Sequence, residues 1–437
     1  MSNLDSVFNT FQSGANAYSN KFTDHSYNVA NAGSIAAKKR DSYLSTINSV
    51  ATPTTFSPAG VFYKPTIDIE TIGGVKPTPY TTNFMVKTKA LVVVNEVASD
   101  LTPGQYGFTK VGSFYPDKNG DLQNHVGKYL KVVLTDNQGN PIKPNVSAFD
   151  QLSTLNVKDR IGLPKETTYL NLFAGLPSAA NVGDPAQTQP KLVYDAKGNQ
   201  YNVVMSYTKI NSFVADPANS ERWRITTTAD TATVPPVAAT INAAWAPGNG
   251  VDIVFSNGVP VIINEGNPMP ALTITPPAGT AVAPINIAVN PGTLNKSDGL
   301  TVLGGTKFNN RDIEADGKGA GKYKGLVWDA NGFGIISYDN GEQEIVCRIP
   351  LVTFKSMNSL IEGSDGVYYS SDESGPYSMR FPANGEIVPS AVEESTASAT
   401  DTYVAMARDG KRFSACLSGL GKTIDMLNHL EKLLERA

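Results

Sequence analysis

Residues 415–427 read ACLSGLGKTIDML, and Gly421-Lys422-Thr423 is the closing triplet of loops that wrap nucleotide phosphates. Such a loop needs a bare backbone at its start, yet Cys416 occupies the position of the first glycine. It must also leave a buried strand and open a helix of a parallel-sheet domain. Here small and apolar residues recur instead at Tyr403, Met406, Gly410, Phe413, Leu417, Leu420, Ile424, Leu427 and Leu434, mostly three and four apart. That spacing predicts a helix with one heptad seam, which puts Lys422 and Thr423 on its polar flank.

Other candidates for chemistry fall to similar tests. Asp117-Lys118-Asn119-Gly120-Asp121 opens like a calcium loop, but Leu122 stands where that loop needs glycine and Lys128 where it needs glutamate. Turn formers in that order predict a hairpin turn. His25, His125 and His429 share no metal-ligand spacing and accompany no Gly-x-Ser-x-Gly elbow. Cys347 and Cys416 belong to no Cys-x-x-Cys pair, so both are expected to act as small buried apolar side chains. Asn145-Val146-Ser147 and Asn295-Lys296-Ser297 match a glycan-acceptor pattern, which has meaning only with the matching secretory route. No catalytic residue, cofactor or metal ligand is expected, and no enzyme.

The chain has 437 residues, 41% hydrophobic and 17% charged, enough for about three domains of ~150 residues each. Its 38 glycines and 28 prolines predict many turns and a β-rich middle. The net charge is −4 and the densest basic run, Lys38-Lys39-Arg40, is too short to track a phosphate backbone, so nucleic acid is not an expected partner. The start MSNLDSVFNTFQSGANAYSN has no basic segment followed by an apolar core, and no run of 18 apolar residues occurs anywhere. Neither a cleaved signal peptide nor membrane insertion is expected.

The elements that remain are helical ends and a β middle. Leu4, Phe8, Phe11, Ala15, Tyr18, Phe22, His25 and Val29 form a second apolar seam, with Ser2 and Asp5 as a capping box at its start. Its other faces are Asn, Ser, Thr, Gln and Lys, so this helix is marginal alone and needs the C-terminal one as partner. Leu430 and Leu433 widen the C-terminal apolar face beyond a two-helix stripe, which predicts that neighbouring subunits cover the remainder. Between the ends, 107–142, 191–210 and 325–354 alternate apolar and polar residues around Asp/Asn/Gly turns, as hairpins do. Composition shifts to Ala, Val, Thr and Pro over 230–300, which suggests a distinct outer domain.

The expected fold is mainly β with terminal α-helices: nested β-domains between paired N- and C-terminal coiled-coil helices. The boundaries drawn are 1–35 with 398–437 for the helical assembly domain, 36–80 with 375–397 for an extended connector, 81–154 with 341–374 for an inner β-domain, and 155–340 for an outer one, divisible into two subdomains.

Several segments resemble the bacterial flagellar axial proteins, most closely the hook group. YNVANAGSIAAKKRD (27–41) is similar to that family's Asn-Ile-Ala-Asn-Ala motif, matched at Asn28, Ala30, Asn31, Ala32 and Lys38, with Ala36-Ala37 where the family has Gly-Phe. YGFTKVGSFYPDKNGDLQNHVGKYL (106–130) looks like its hairpins, matched at Thr109, Gly112, Phe114, Asp117, Gly120, Leu122, Gly127 and Leu130. VYDAKGNQYNVVMSYTK with Trp223 downstream resembles the start of the hook-specific outer domain, and Phe413, Ala415, Asp425, Met426 and Leu427 fit the last helix. The resemblance implies a non-enzymatic subunit exported by the flagellar type III apparatus without a cleaved signal peptide. It further implies an extracellular homo-oligomer of many copies, a curved and flexible helical tube passing motor torque to the filament as a universal joint. Hook cap, rod and hook–filament junction proteins would be its other partners. A distal-rod-like subunit, straight and within the envelope, and a secreted β-rich adhesin are the alternatives.

Overall fold

In a computed structural model of the chain, the described residues are 2–51, 56–99, 105–143, 148–158, 160–233, 236–278, 282–364 and 366–435, without the side chains of 2–3, 48–51, 56–59 and 434. The fold is mainly β between an N-terminal helix α1 (Ser2–Ala30) and a C-terminal helix α2 (Ala399–Leu434). It forms two compact units, one of 1–159, 324–337 and 343–437, the other of 160–323 and 338–342. Residues 324–337, assigned from sequence to the outer domain, therefore belong to the first unit. The cause is pairing: Phe333 and Gly334 lie opposite Arg348 and Cys347, and Cys347 in turn lies opposite Leu134.

In the first unit, β1 (Arg40–Ala51) and β2 (Phe56–Ile67) form a long antiparallel ribbon, with Leu44 opposite Tyr63. The β body is built on β3 (Leu91–Asn95), which pairs with β4 (Tyr106–Thr109) on one side and with Tyr129–Leu134 and Leu351–Phe354 on the other. All of β3 is buried, as its unbroken Leu-Val-Val-Val run predicts for a strand covered on both faces. Leu91, Val93, Phe108, Val133, Val352, Phe354 and Tyr368 share one core, where the Phe108 and Phe354 rings meet edge to face at 4.8 Å.

The second unit contains a five-stranded antiparallel sheet in the order 187–194, 200–210, 221–231, 251–256, 259–263. Val203, Met205 and Tyr207 are fully buried and alternate with the half-buried Asn202, Val204, Ser206 and Thr208. Residues 230–300 are not a separate domain: Trp245, Leu272, Ile274, Ile285 and Ile287 share one core with Met205 and Trp223. Their Pro- and Thr-rich spacing hides this, because only every second side chain of 285–290 turns inward.

One turn recurs in both units. The carboxylate Oδ1 of Asp117, Asp136, Asp195 or Asp329 accepts hydrogen bonds from the backbone N–H groups two and four residues on, at 2.6–3.0 Å. Three residues after each aspartate stands a glycine at positive φ, Gly120, Gly139, Gly198 and Gly332, a conformation other L-residues resist. Asp117 is thus consumed by its hairpin.

Candidate assembly surface

Helix α1 lies between α2 and the β1–β2 ribbon. Toward the ribbon, Ser13 Oγ accepts the Val61 N–H at 3.0 Å, and the Tyr63 hydroxyl donates to Asp24 Oδ2 at 2.8 Å. Toward α2, aromatic rings enter glycine gaps. Phe22 meets Phe413 edge to face at 6.3 Å and stands over Gly410, while a Cβ at Gly419 would come within 2.7 Å of three Phe11 ring atoms. Reciprocally, Cys416 Sγ lies 3.1 Å from where Gly14 would carry a Cβ, and its burial pushes the thiol pKa up. Helix-interior glycines cost about 1 kcal/mol each relative to alanine, so burial of the rings against them must offset that cost.

The α1 seam expected from sequence lies inward: Leu4, Phe8, Phe11, Tyr18, Phe22 and Val29 are half-buried and Ala15 is buried. On α2 only one of the two expected columns does. Met406, Phe413, Leu420 and Leu427 are half-buried, whereas Tyr403, Leu417 and Ile424 stay 57%, 45% and 40% exposed. The other inward column is Thr402, Asp409, Cys416 and Thr423, one residue earlier at each heptad. Thr423, placed on the polar flank from sequence, is buried, and its hydroxyl donates to Gly419 O at 2.9 Å, which satisfies it without a partner helix. The side chain of Leu434 and the capping role of Ser2 lie outside the described side chains, as Asn145-Val146-Ser147 lies outside the described residues.

Asp409 is the charged member of that column and is completely buried. His25 Nε2 lies 3.1 Å from its Oδ2 and Lys21 Nζ 3.8 Å away, both from α1, while Arg412 Nη1 is 3.0 Å from Oδ1. Burial pushes the carboxyl pKa up, but the His25 hydrogen bond and the charges of Lys21 and Arg408 outweigh it and hold the group below the usual carboxylate range.

The residues matched at 27–41 form the root of the helices. Asn28 is a two-point clamp: Nδ2 donates to Arg40 O at 2.7 Å and Oδ1 accepts the Arg40 N–H at 2.8 Å. Asn31 Nδ2 donates to Tyr27 O, closing the last turn, while Ala30 is exposed and Ala32 half-buried. Ala36 adopts φ +54°, the left-handed region that favours glycine. Lys38 is buried; its ammonium donates to Glu393 Oε1 at 2.6 Å and to Thr71 O at 2.5 Å. Glu393 Oε1 also accepts the Gly73 N–H at 2.7 Å, and Ala36 N–H donates to Glu393 O at 2.8 Å. The chain leaving α1 and the chain entering α2 are thereby fastened together. Nearby, Arg40 lies over the Tyr27 ring and pairs with Glu362, which also accepts the Tyr27 hydroxyl.

Sequence reasoning missed Asp409, Glu393 and Glu362. Asp409 was within reach, since it sits in a seven-residue register with Thr402, Cys416 and Thr423. The glutamates carry no such signal, because their partners are more than 300 residues away. Among the described residues no helix is long and apolar enough to cross a membrane, and no group of three or more His, Cys, Asp or Glu is placed to hold a metal.

No family model matches the chain. It is 27% identical over 419 residues to the flagellar hook protein FlgE of Rhizobium meliloti, covering 94% of this chain and 95% of that one. Against the flagellar hook protein FlgE of Brucella suis it is 26% identical over 424 residues, with 94% of each chain covered. The crystal structure of the Helicobacter pylori flagellar hook protein FlgE2 aligns with a TM-score of 0.38 at 12% identity, over 74% of this chain and 99% of that one.

Proposed function

We infer, from the premise that this chain belongs with the flagellar hook proteins it matches over 94% of its length, how its terminal helices serve the hook. The chain is a structural subunit of the flagellar hook and polymerises within it. The finer reading is that copies assemble into a curved, flexible tube that passes torque as a universal joint. The helix pair of each copy would be bundled against those of its neighbours. The observation that carries this is the uncovered column Tyr403, Leu417 and Ile424: α1 satisfies one side of α2 and leaves a second apolar stripe in water. With the half-buried residues from Leu4 to Val29 and from Met406 to Leu427, that stripe forms the assembly seam. Export through the flagellar type III apparatus, contact with cap, rod and junction proteins, and a place outside the cell follow from the same reading.

Immunogold microscopy of isolated hook–basal bodies, with serum against residues 230–300, tests it. Label along the curved segment is expected; label confined to the straight rod, or absent, overturns it.

A further inference from the structure

Six asparagines are followed by glycine, at 119–120, 249–250, 257–258, 331–332, 340–341 and 384–385. That dipeptide carries chemistry of its own. The glycine amide nitrogen can close a five-membered ring onto the asparagine Cγ, and no Cβ on the glycine hinders the approach. Closure requires a nitrogen free to lose its proton and a carboxamide free to turn toward it. The fold treats the six pairs differently on both counts.

Four pairs are held at the nitrogen. The Gly120, Gly332 and Gly341 N–H groups donate to Asp117 O, Asp329 O and Tyr338 O at 3.0–3.1 Å, and the Gly385 N–H donates to Ala330 O at 3.0 Å. An amide so engaged must give up a hydrogen bond before it can attack. Asn340 is held twice more, because its Oδ1 accepts the Glu342 N–H and its Nδ2 donates to Gly319 O. At the fifth pair the carboxamide is tied, with Asn249 Nδ2 donating to Ala243 O at 3.0 Å. Asn257 has neither restraint. It lies exposed at the tip of the hairpin of Val251–Ser256 and Val259–Ile263, a two-residue loop with φ of 54° at Asn257 and 83° at Gly258. Among the described residues, neither the Gly258 N–H nor the Asn257 carboxamide finds a hydrogen-bond partner, while Gly258 O accepts the Val302 N–H at 3.0 Å.

We propose that Asn257 is a modification site, the position at which the folded chain first converts an amide into a carboxylate, with water as the co-reactant. The Gly258 nitrogen gives its proton to solvent and bonds to Asn257 Cγ, and the Cγ–Nδ2 bond breaks with release of ammonia. Water then opens the cyclic imide. Addition at one carbonyl gives aspartate; addition at the other gives isoaspartate, whose backbone runs through the former side chain and is longer by one atom. No electrons are transferred, so neither oxidant nor reductant is required. Aspartate suits a turn that accepts Asn, Asp and Gly at positive φ. Isoaspartate does not, because the lengthened backbone displaces Gly258 O from the Val302 N–H, the bond that ties this turn to Leu300–Leu303. A Cβ at Gly258 would come within 2.8 Å of Val302 O, so the packing demands the same glycine that permits the ring to close.

The test uses the purified, unaltered full-length chain. It is kept folded in warm, mildly alkaline buffer while the six peptides are followed by mass spectrometry for conversion of amide to acid, with isoaspartate resolved by chromatography. Asn257 is expected to convert about fivefold faster than any other pair, the factor that one hydrogen bond broken beforehand represents. In urea the restraints of the fold disappear and the six rates should converge. Another pair converting as fast as Asn257 in the folded chain, an Asn257 that stays intact, or a lead of Asn257 that persists in urea overturns the proposal. None of these outcomes depends on a hook being built, so the reading of the chain as a hook subunit stands or falls separately.

Discussion

Two glycines two residues apart on α2 allow a controlled test of how closely the helices approach. A Cβ at Gly421 would meet nothing within 4 Å, whereas one at Gly419 would press on the Phe11 ring within 2.7 Å. Gly421→Ala should therefore stabilise the helix by about 0.5–1 kcal/mol through reduced backbone entropy alone. Gly419→Ala gains the same amount but must displace Phe11, and overpacking of that kind costs about 1–3 kcal/mol. The two alanines should differ by about that overpacking cost, with Gly419→Ala the less stable. Because Phe11 causes the difference, Phe11→Ala should abolish it: in that background Gly419→Ala should behave like Gly421→Ala, which gives a coupling energy of similar size. Hydrogen exchange of peptides from both helices in isolated hooks supplies the readout. Equal stabilisation by both alanines, or zero coupling to Phe11, would refute the close approach on which the seam is built.

Two further outcomes follow from the same contacts. Leu420→Glu places a charge in the half-buried column between the helices, which should stop hooks forming while circular dichroism of the purified chain keeps its β signal; normal hooks from this variant would sink the seam argument. Lys38→Met strands the buried Glu393 carboxylate, and breaking such a pair should cost about 3–5 kcal/mol. The double change Lys38→Met with Glu393→Leu should recover part of that loss in a urea titration, limited by the Gly73 N–H that then lacks its acceptor; a double variant less stable than the single one would count against the ion pair as the fastening.

The α1 seam was legible because most of its residues are large and apolar, although Asp24 and Asn28, which the apolar spacing does not point to, are more deeply buried. The α2 seam was half legible. Apolarity pointed to Tyr403, Leu417 and Ile424, while the intramolecular contact uses Asp409, Cys416 and Thr423, which either find a polar partner or are small enough to admit a ring nearby. Hydrophobic periodicity identifies what must be covered somewhere, not which neighbour covers it. The Asp-x-x-Gly turns could be read directly, since side chain, backbone and glycine act within four residues. The joint at Lys38 and Glu393 could not, because chain topology alone brings its halves together.

That joint, with the helices it serves, also makes distant parts of the chain depend on one another. Every described β element precedes α2 in the chain, and α1, the first described element in sequence, finds its mate only in the last. A polypeptide that ends before residue 399 has the α1 stripe but no α2 to close it against. Closure of the α1 stripe therefore registers the presence of residues 399–434: a chain that contains them presents a finished pair, and one that lacks them leaves that apolar stripe open.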